Sequence, residues 1–463
     1  MKRMLLLSLV SFLSLQTAGW AKPAPEGLQK EALKTFQDYL RLDTSNPPGQ
    51  ELKTARFLKQ ILDHEGIENQ IFDLGNHRAN LYAILRGDGS KPPIAFLHHM
   101  DVVPADPQFW SVPPFSGQIE KGFVYGRGAI DIKGKGMVDL FTLIRLKREK
   151  QPLKRDLIFL AVADEEVNSL GARRLIHDHP ELLKKIEFLI DEGKTVTEDA
   201  QGKALYAMVG MGEKSPLWLK LTFQGTPGHA SVPMADNAVN RALQAAGRIM
   251  HFAEQLPFQV LPGLEDSLRL QFGGDVTRLP GYQKDMATSL KNPLFLKGLA
   301  QVPELNAMLR NTISITGMKG SDKTNIIPNQ ASLTLDCRLL PGQNKEVFLK
   351  QLNEAIGDPS VKIEVEEYYQ SLFSPPDSGY MRSLKRVLHR YSPGLPVIPT
   401  IFTSSTDSSL FRALGINVYG FEAYRVDEAT SQRAHGNDER LGVAGFFWGL
   451  DLLHELVLDL NQN

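Results

Sequence analysis

Apolar and polar positions along the chain repeat with two periods, and each period predicts a different kind of element. Spacings of three to four residues predict amphipathic helices in stretches such as "EGLQKEALKTFQDYLRL" and "ELKTARFLKQILDHEG". Short apolar runs such as "PPIAFLHHM" and "DLIFLAVAD" predict buried strands. Strands that alternate with helices in this way are typical of an α/β domain with a largely parallel, covered sheet.

The pattern changes near Glu213 and changes back near Ser371. Between them the order β-α-β-β-α-β predicts a compact α+β domain of ferredoxin-like type over residues 214–370. A section from about 256 to 310, with Pro, Gly and short helical pieces, is interpreted as an insertion into it. We therefore predict an α/β catalytic domain in two parts, 22–213 and 371–463, split by an inserted domain that serves as lid or dimerisation surface.

The first residues predict an export signal. Lys2 and Arg3 precede "MLLLSLVSFLSL", which is short for a bilayer span, and Gly19 and Ala21 occupy the small-residue positions of a cleavage site. We expect residues 1–21 to be a signal peptide cleaved near Ala21, which places the protein in the periplasm or outside the cell. An uncleaved anchor is the alternative. No later segment has the apolar length of a transmembrane helix, so we expect no stable membrane anchor.

Composition narrows the class of partner. The chain is 42% hydrophobic and 23% charged, with a formal net charge of −1. It therefore lacks the net positive charge that attracts nucleic acid. Its one cysteine, Cys337, excludes an internal disulfide and lies in an alternating strand pattern, where a buried side chain is expected. We expect a small-molecule or short-peptide substrate.

Polar side chains follow several predicted strands at the point where each strand ends. They comprise His99 and Asp101 after "IAFL", Glu165 and Glu166 after "LIFLAVAD", and Asp191 after "EFLI". Because ligands bind beyond the carboxyl ends of parallel strands, we expect these side chains to converge at one edge of the sheet, with Asp131 of "GRGAIDIKGKG" nearby. At two positions either of two adjacent residues could face the site: His98 or His99, and Asp191 or Glu192. The alternation of side chains along a strand does not by itself decide between Asp191 and Glu192.

Carboxylates and imidazoles in this number suit a divalent metal such as zinc. A site with a carboxylate to spare can hold two metals, which together activate a water and polarise a carbonyl. The adjacent pair Glu165 and Glu166 fits a division of labour, in which one carboxylate binds metal and its neighbour acts as general base. His99 and Asp101 are two residues apart and face one side of an extended chain, whereas His98 faces the other side and is assigned to packing.

Six motifs in order resemble the M20 metallopeptidase family of aminoacylases, glutamate carboxypeptidases and related amidohydrolases. They are "HMDVVP", "GRGAIDIKG", "ADEEV", "LIDEG", "GTPGHASVP" and "RAHGNDER". The resemblance runs from about Leu28 to the C-terminus. The long 256–310 section is similar to that of larger family members that act on N-acyl amino acids or unusual dipeptides.

The resemblance implies two Zn²⁺ ions per subunit, with Co²⁺ or Mn²⁺ as alternatives, and a role for each residue. One zinc would be bound by His99 and Asp191, the other by Glu166 and His435, and both by Asp131. Asp101 would hydrogen-bond to His99, Glu165 would be the general base, and His229 would stabilise the oxyanion. His229 comes from the partner subunit in family dimers, which implies a homodimer; by itself "PGHASVP" suggests a structural turn histidine.

The resemblance also implies that Arg338 and Asn325 contact a free carboxylate of the substrate, although Arg338 has Asp336 as an alternative partner. The expected activity is zinc-dependent hydrolysis of an amide or peptide bond next to that carboxylate. The alternatives are a reversible N-acyl amino acid synthase/hydrolase and a catalytically silent binding protein. The second rests on Asn168 and Ser169, which stand where the family usually has a glycine pair.

Overall fold

The computed structural model describes residues 23–261, 263–265, 268 and 276–462, and the predicted signal peptide lies outside these residues. The strands with described bounds are, in chain order, β1 (Glu68–Gly75), β2 (Arg78–Leu85), β3 (Ile94–His99), β4 (Ile119–Glu120), β5 (Phe123–Tyr125), β6 (Leu157–Val162), β7 (Phe188–Glu198), β8 (Ala204–Glu213), β9 (Ser215–Gln224), β10 (Gly228–His229), β11 (Thr312–Lys319), β12 (Ile326–Ile327), β13 (Gln330–Leu339), β14 (Lys362–Tyr368), β15 (Val397–Phe402), β16 (Asn417–Val426) and β17 (Arg440–Gly442).

The α-helices with described bounds span Glu26–Leu40, Glu51–His64, Lys133–Arg148, Leu170–Asp178, Ala238–Gln255, Met286–Ser289, Pro293–Ala300, Pro303–Leu309, Lys345–Ile356, Gly379–Tyr391, Ser408–Arg412, Glu428–Ser431 and Val443–Gln462. Within the described ranges, no helix combines the length and apolar character needed to cross a membrane.

The larger sheet has eight strands in the order β1–β2–β6–β3–β7–β16–β8–β15. Its four central strands, β6, β3, β7 and β16, run parallel to one another. Antiparallel pairs occur towards both edges, at β1–β2 and β2–β6 on one side and at β16–β8 on the other. The predicted α/β class with a mainly parallel sheet is confirmed.

The side chains of β3 alternate between two apolar cores. Ile94 and Phe96 join the core that the long helices Lys133–Arg148 and Val443–Gln462 form on one face. Ala95 and Leu97 pack on the other face, in a cluster that includes Leu175 and Phe411. Burial on both faces explains why the strand is a continuous apolar run and polar only at its carboxyl end.

The smaller sheet contains β11–β13–β9–β14 in that order, with every neighbouring pair antiparallel. Helices Ala238–Gln255 and Lys345–Ile356 supply its apolar core together with Leu219 and Leu335. This arrangement confirms the predicted βαββαβ sandwich, and its strands lie between residues 215 and 368. Cys337 is buried and free in this core, where burial raises the pKa of its thiol to about 12, so it is inert packing as expected.

The 256–310 section has an apolar cluster of its own, to which Phe295, Leu299 and Met308 contribute. Ile401 of β15 belongs to the same cluster, so the section is packed against the edge strand of the larger sheet. The short helix Pro303–Leu309 therefore lies beside the carboxyl end of that strand.

Candidate metal centre

Asp131 lies between two histidines that come from distant parts of the chain. Its Oδ1 is 3.1 Å from Nε2 of His99, and its Oδ2 is 3.1 Å from Nε2 of His435. Burial opposes ionisation of Asp131, but the hydrogen bonds from His435 and His99 hold its pKa well below the usual range. One carboxylate thus faces two imidazoles, which is the arrangement expected of a bridging metal ligand.

Two groups of ligand atoms share this aspartate. The first contains His99, Asp131 and Glu192, and the second contains Asp131, Glu166 and His435, with the ligand atoms of each group within 4.8 Å of one another. Glu166 Oε2 lies 3.1 Å from His435 Nε2, and Glu192 Oε2 lies 3.8 Å from His99 Nε2. The residues expected to bind metal are brought together here, with one exception.

The exception is Asp191, and the geometry corrects the choice between Asp191 and Glu192. The Asp191 carboxylate belongs to neither group of the described residues and accepts a hydrogen bond of 2.7 Å from Ser408 Oγ. Neighbouring residues of an extended strand face opposite sides, so only one of the two acids can face His99. That acid is Glu192, the alternative left open by the sequence.

The ligand atoms fit a divalent cation. Glu166 Oε1 and Glu192 Oε1 are buried without a hydrogen-bond partner in the described part of the chain. Burial and the neighbouring Glu165 raise the pKa of Glu192 well above its usual range, and His99 only partly opposes this rise. Buried charges are normally paired or coordinate a metal, and a His/Asp/Glu set suits zinc and similar ions.

Replacing each of the two neighbouring acids with its amide should show which of them binds metal. We expect Glu192→Gln to weaken binding of a divalent metal by more than about 100-fold, because a metal ligand is lost. We expect Asp191→Asn to weaken metal binding by about 10-fold or less, because residues that only support a ligand change metal affinity by about 10- to 100-fold and Asp191 should lie at the lower end of that range. Metal titration followed by calorimetry measures both. Tight binding in Glu192→Gln together with lost binding in Asp191→Asn would restore the first assignment.

Asp101 organises the loops around His99, but by a different bond from the one expected. Nδ1 of His99 lies 2.9 Å from the backbone oxygen of Asp101, whereas the Asp101 carboxylate is 3.6 Å from that nitrogen. The main-chain carbonyl therefore fixes the tautomer and leaves Nε2 for the metal side. The Asp101 carboxylate instead accepts hydrogen bonds from the backbone N–H groups of Glu165 and Glu166, each 3.2 Å long.

Glu165 is the acid best placed to act as general base. Its Oε2 lies 4.0 Å from Nε2 of His99, and it is absent from both ligand groups of the described residues. Burial raises its pKa well above the usual range; His99 opposes this rise, and the carboxylates of Asp407 and Glu166 add to it. A carboxylate with a raised pKa is a better proton acceptor, which is the property that general-base catalysis uses.

His98 takes the packing role predicted for it. The Tyr39 hydroxyl oxygen lies 3.1 Å from its Nε2, and the ring of Phe159 packs beside it. Burial lowers the pKa of His98 well below its usual range, so the ring is neutral and remains in the core.

Two residues that sequence reasoning passed over hold the centre together. Glu439 accepts the backbone N–H groups of Ile130 and Asp131 at 2.9 and 3.1 Å and pairs with Arg127 at 2.6 Å. Asn46 donates to Asp101 Oδ2 at 2.8 Å. Arg127 and Glu439 lie inside the motifs "GRGAIDIKG" and "RAHGNDER", so their opposite charges were the available signal, whereas Asn46 had none.

Of the residues expected to contact substrate, Arg338 lines a cavity beside the metal centre, whereas His229 and Asn325 lie on the exposed surface. Arg338 pairs with Asp336 at 2.7 Å, yet it also donates to Ser405 at 3.2 Å and lines a cavity of about 520 Å³ that contains Glu165. His229 and Asn325 are exposed, and a backbone hydrogen bond from Ala230 to Asn325 places them beside each other. His229 bonds to Ser231, and it belongs to neither ligand group of the described chain.

Two ligand groups that share one carboxylate, beside the half-buried Glu165, define the site of a metal-dependent amidohydrolase. Residues 95–459 match the peptidase family M20/M25/M40, and the chain belongs to that family. The expected family, enzyme class and metal dependence are therefore confirmed.

Relatives of known name and structure cover almost the whole chain. The N-fatty-acyl-amino acid synthase/hydrolase PM20D1 of Xenopus tropicalis is 28% identical over 456 residues, which cover 94% of this chain and 86% of the relative. Aminoacylase-1A of Rattus norvegicus is 26% identical over 439 residues, which cover 92% of this chain and 94% of the relative. The M20 family metallo-carboxypeptidase Sso-CP2 from Sulfolobus solfataricus shares the fold with a TM-score of 0.70 at 21% identity, covering 94% of this chain and 100% of that chain.

Proposed function

We propose that this protein hydrolyses the amide bond of an N-acyl amino acid or short peptide, next to a free carboxylate. Two zinc ions are the proposed cofactors, with Co²⁺ or Mn²⁺ as substitutes. The observation that carries the proposal is the position of Asp131, whose two oxygens each lie 3.1 Å from a different histidine, with the half-buried Glu165 nearby. The names of the Xenopus and rat relatives agree with an N-acyl amino acid as substrate.

Each group in the site has a chemical task. A pair of divalent cations supplies polarisation of a carbonyl and activation of water. Glu165 accepts a proton from the attacking water and delivers it to the leaving nitrogen as the C–N bond breaks. Asp101 keeps the backbone of Glu165 in place, so this proton acceptor stays beside His99. The reverse condensation would use the same residues in the opposite order.

The free carboxylate is assigned to the cavity of about 520 Å³. Arg338 and Arg173 line it together with Glu165, so two guanidinium groups stand on the side where the leaving nitrogen receives its proton. A guanidinium presents parallel N–H donors that match a carboxylate. Asp336 already accepts two of the Arg338 donors, which leaves the Nη1 group that now bonds Ser405 to turn towards a substrate.

Delivery of His229 and Asn325 from a second subunit is part of the proposal. Both residues are exposed on one face of the inserted segment, which suits a contribution to a neighbouring site or to closure over the substrate. Export with cleavage near Ala21 is likewise proposed from the sequence alone.

Metal removal and substrate choice together test the proposed function. Treatment with a chelator should abolish hydrolysis of an N-acetyl amino acid, and added Zn²⁺ should restore it. The same substrate with its carboxylate blocked as an amide should be cleaved at least about 100-fold more slowly, because a charge-assisted pair worth about 3 kcal/mol is lost. Chelator-resistant turnover, or equal rates on both substrates, would contradict the proposal.

A further inference from the structure

A second and larger cavity continues from the metal centre and meets the Arg338 cavity at Ser404, which lines both. A pocket of about 250 Å³ contains Asp131 and Glu192. It shares Lys194 and Met208 with a cavity of about 880 Å³, which lies within the range of roughly 300–1,000 Å³ typical of ligand sites. Space therefore leads from the proposed position of the reacting carbonyl into a volume that the hydrolytic chemistry does not use.

The lining of this larger cavity changes from polar to apolar with depth. Glu304, Glu428 and Gln432 are exposed and belong to its mouth. Met308 and Ile401 are buried, and they form a mainly apolar floor with half-buried neighbours such as Met208, Ala307 and Phe402, in which Thr400 is the buried polar residue. A polar mouth above an apolar floor suits a ligand with a flexible hydrocarbon body, since burial of each methylene group is favourable.

One charged side chain stands at the passage between the two spaces. The Lys194 ammonium lies 5.1 Å from the centre of the Phe402 ring, so its charge is placed over an aromatic face. Lysine methylene stems commonly cover apolar surface while the charged end turns elsewhere. Lys194 is therefore compatible with a hydrocarbon chain that passes along its stem.

The 256–310 insertion provides one wall of the cavity and holds it firmly. Val302, Ala307 and Met308 line the space from the helix Pro303–Leu309 and the residue before it. Lys214 is buried beneath this helix and donates to the backbone oxygens of Ala307 and Arg310, both at 2.8 Å. A cation at the carbonyl end of a helix satisfies groups that would otherwise lack partners, so the wall is fixed before any ligand arrives.

The cavity that each catalytic group lines indicates which way round the substrate binds. Glu165, which supplies the proton to the leaving nitrogen, lines the arginine-containing cavity, so the amino acid product belongs there. The acyl group then extends towards Asp131, Glu192 and the larger cavity, whose linings include neither Glu165 nor Arg338.

We propose that the insertion forms an acyl-chain subsite that selects medium-chain and long-chain acyl groups, with Ala307 and Met308 on its inner wall. This inference rests on the proposed function and adds a role for the insertion that the hydrolytic chemistry does not require. It predicts that chain length changes catalytic efficiency until the cavity is filled.

A homologous series of substrates tests the subsite. The zinc-loaded full-length protein is assayed on one amino acid acylated with acetyl, hexanoyl, decanoyl or palmitoyl. We expect kcat/KM to rise by about 4-fold per added methylene before it levels off. Ala307→Phe and Val302→Phe should lower kcat/KM for the decanoyl and palmitoyl substrates by about 10-fold or more, which corresponds to two excluded methylenes, and leave the acetyl substrate almost unchanged.

The control is Leu294→Phe, which introduces the same aromatic residue at an exposed position of the insertion outside the cavity. It should keep the chain-length profile of the unmodified protein. A flat profile in the unmodified protein, or equal losses on acetyl and palmitoyl substrates in both cavity variants, would overturn the subsite while acetyl hydrolysis still supports the proposed function. Absence of hydrolysis across the whole series would overturn the proposed function itself.

Discussion

Replacing Glu165 with Gln should lower kcat by roughly 100- to 10,000-fold, the range that general acid–base catalysis supplies. The amide keeps the shape of the side chain but cannot accept the proton of the attacking water. Because Glu165 belongs to neither ligand group of the described residues, metal content should stay at the level of the unmodified protein. KM should change little, since the lost interaction acts in the transition state. Steady-state kinetics and elemental analysis of one preparation measure both quantities.

Glu166→Gln is the matched comparison, because it makes the same chemical change one residue along the chain. Glu166 stands 3.1 Å from His435 in the second ligand group, so this variant should lose metal as well as activity. Near-normal turnover in Glu165→Gln would exclude it as the base. A loss of metal in Glu165→Gln equal to that in Glu166→Gln would instead make it a ligand.

Asp131→Ala should have the broadest effect, because a single side chain serves both ligand groups. We expect binding of both metal equivalents to weaken together and activity to fall by about 1,000-fold or more. Metal ions contribute several kcal/mol to catalysis, and each 1.4 kcal/mol corresponds to about tenfold in rate. Metal titration with calorimetric detection, followed by activity at saturating Zn²⁺, gives both values.

Asp322→Ala removes an exposed aspartate outside both ligand groups and controls for the loss of one negative charge. Thermal unfolding of the metal-free proteins shows whether Asp131→Ala still folds. Retention of one tightly bound metal in a folded Asp131→Ala variant would mean that the two groups do not depend on a shared ligand.

The sequence predicted the parts of the site that depend on strand periodicity. Apolar runs followed by acids located the carboxyl ends of β3 and β6, and alternation separated the ligand His99 from the core residue His98. The predicted strand end at Asp191 was wrong, because β7 continues past Asp191 and Glu192 to Glu198. Alternation also showed that only one of Asp191 and Glu192 could face the centre. It could not show which, because strand twist and the pairing with β3 and β16 fix the orientation, and these are properties of the folded sheet.

Interactions between distant segments were harder to predict. The sequence suggested a side-chain bond between Asp101 and His99, whereas the closer partner is the Asp101 main chain. Backbone geometry of this kind depends on the loop after β3, which no side-chain pattern reveals. The same limit explains why Asn46 was missed and why the apolar floor beside the 256–310 insertion became visible only after folding placed Met208 and Ile401 opposite Met308.

The pairing of Arg127 with Glu439 spans 312 residues, and Arg127 also donates to the backbone oxygen of His435. A growing chain therefore contains His99, Asp131 and Glu192 long before it contains the residues that complete the second group. Contacts between such distant positions form late, because the intervening chain must first become ordered. Full metal loading therefore requires the C-terminal segment, and a protein truncated before residue 435 would be limited to the first ligand group.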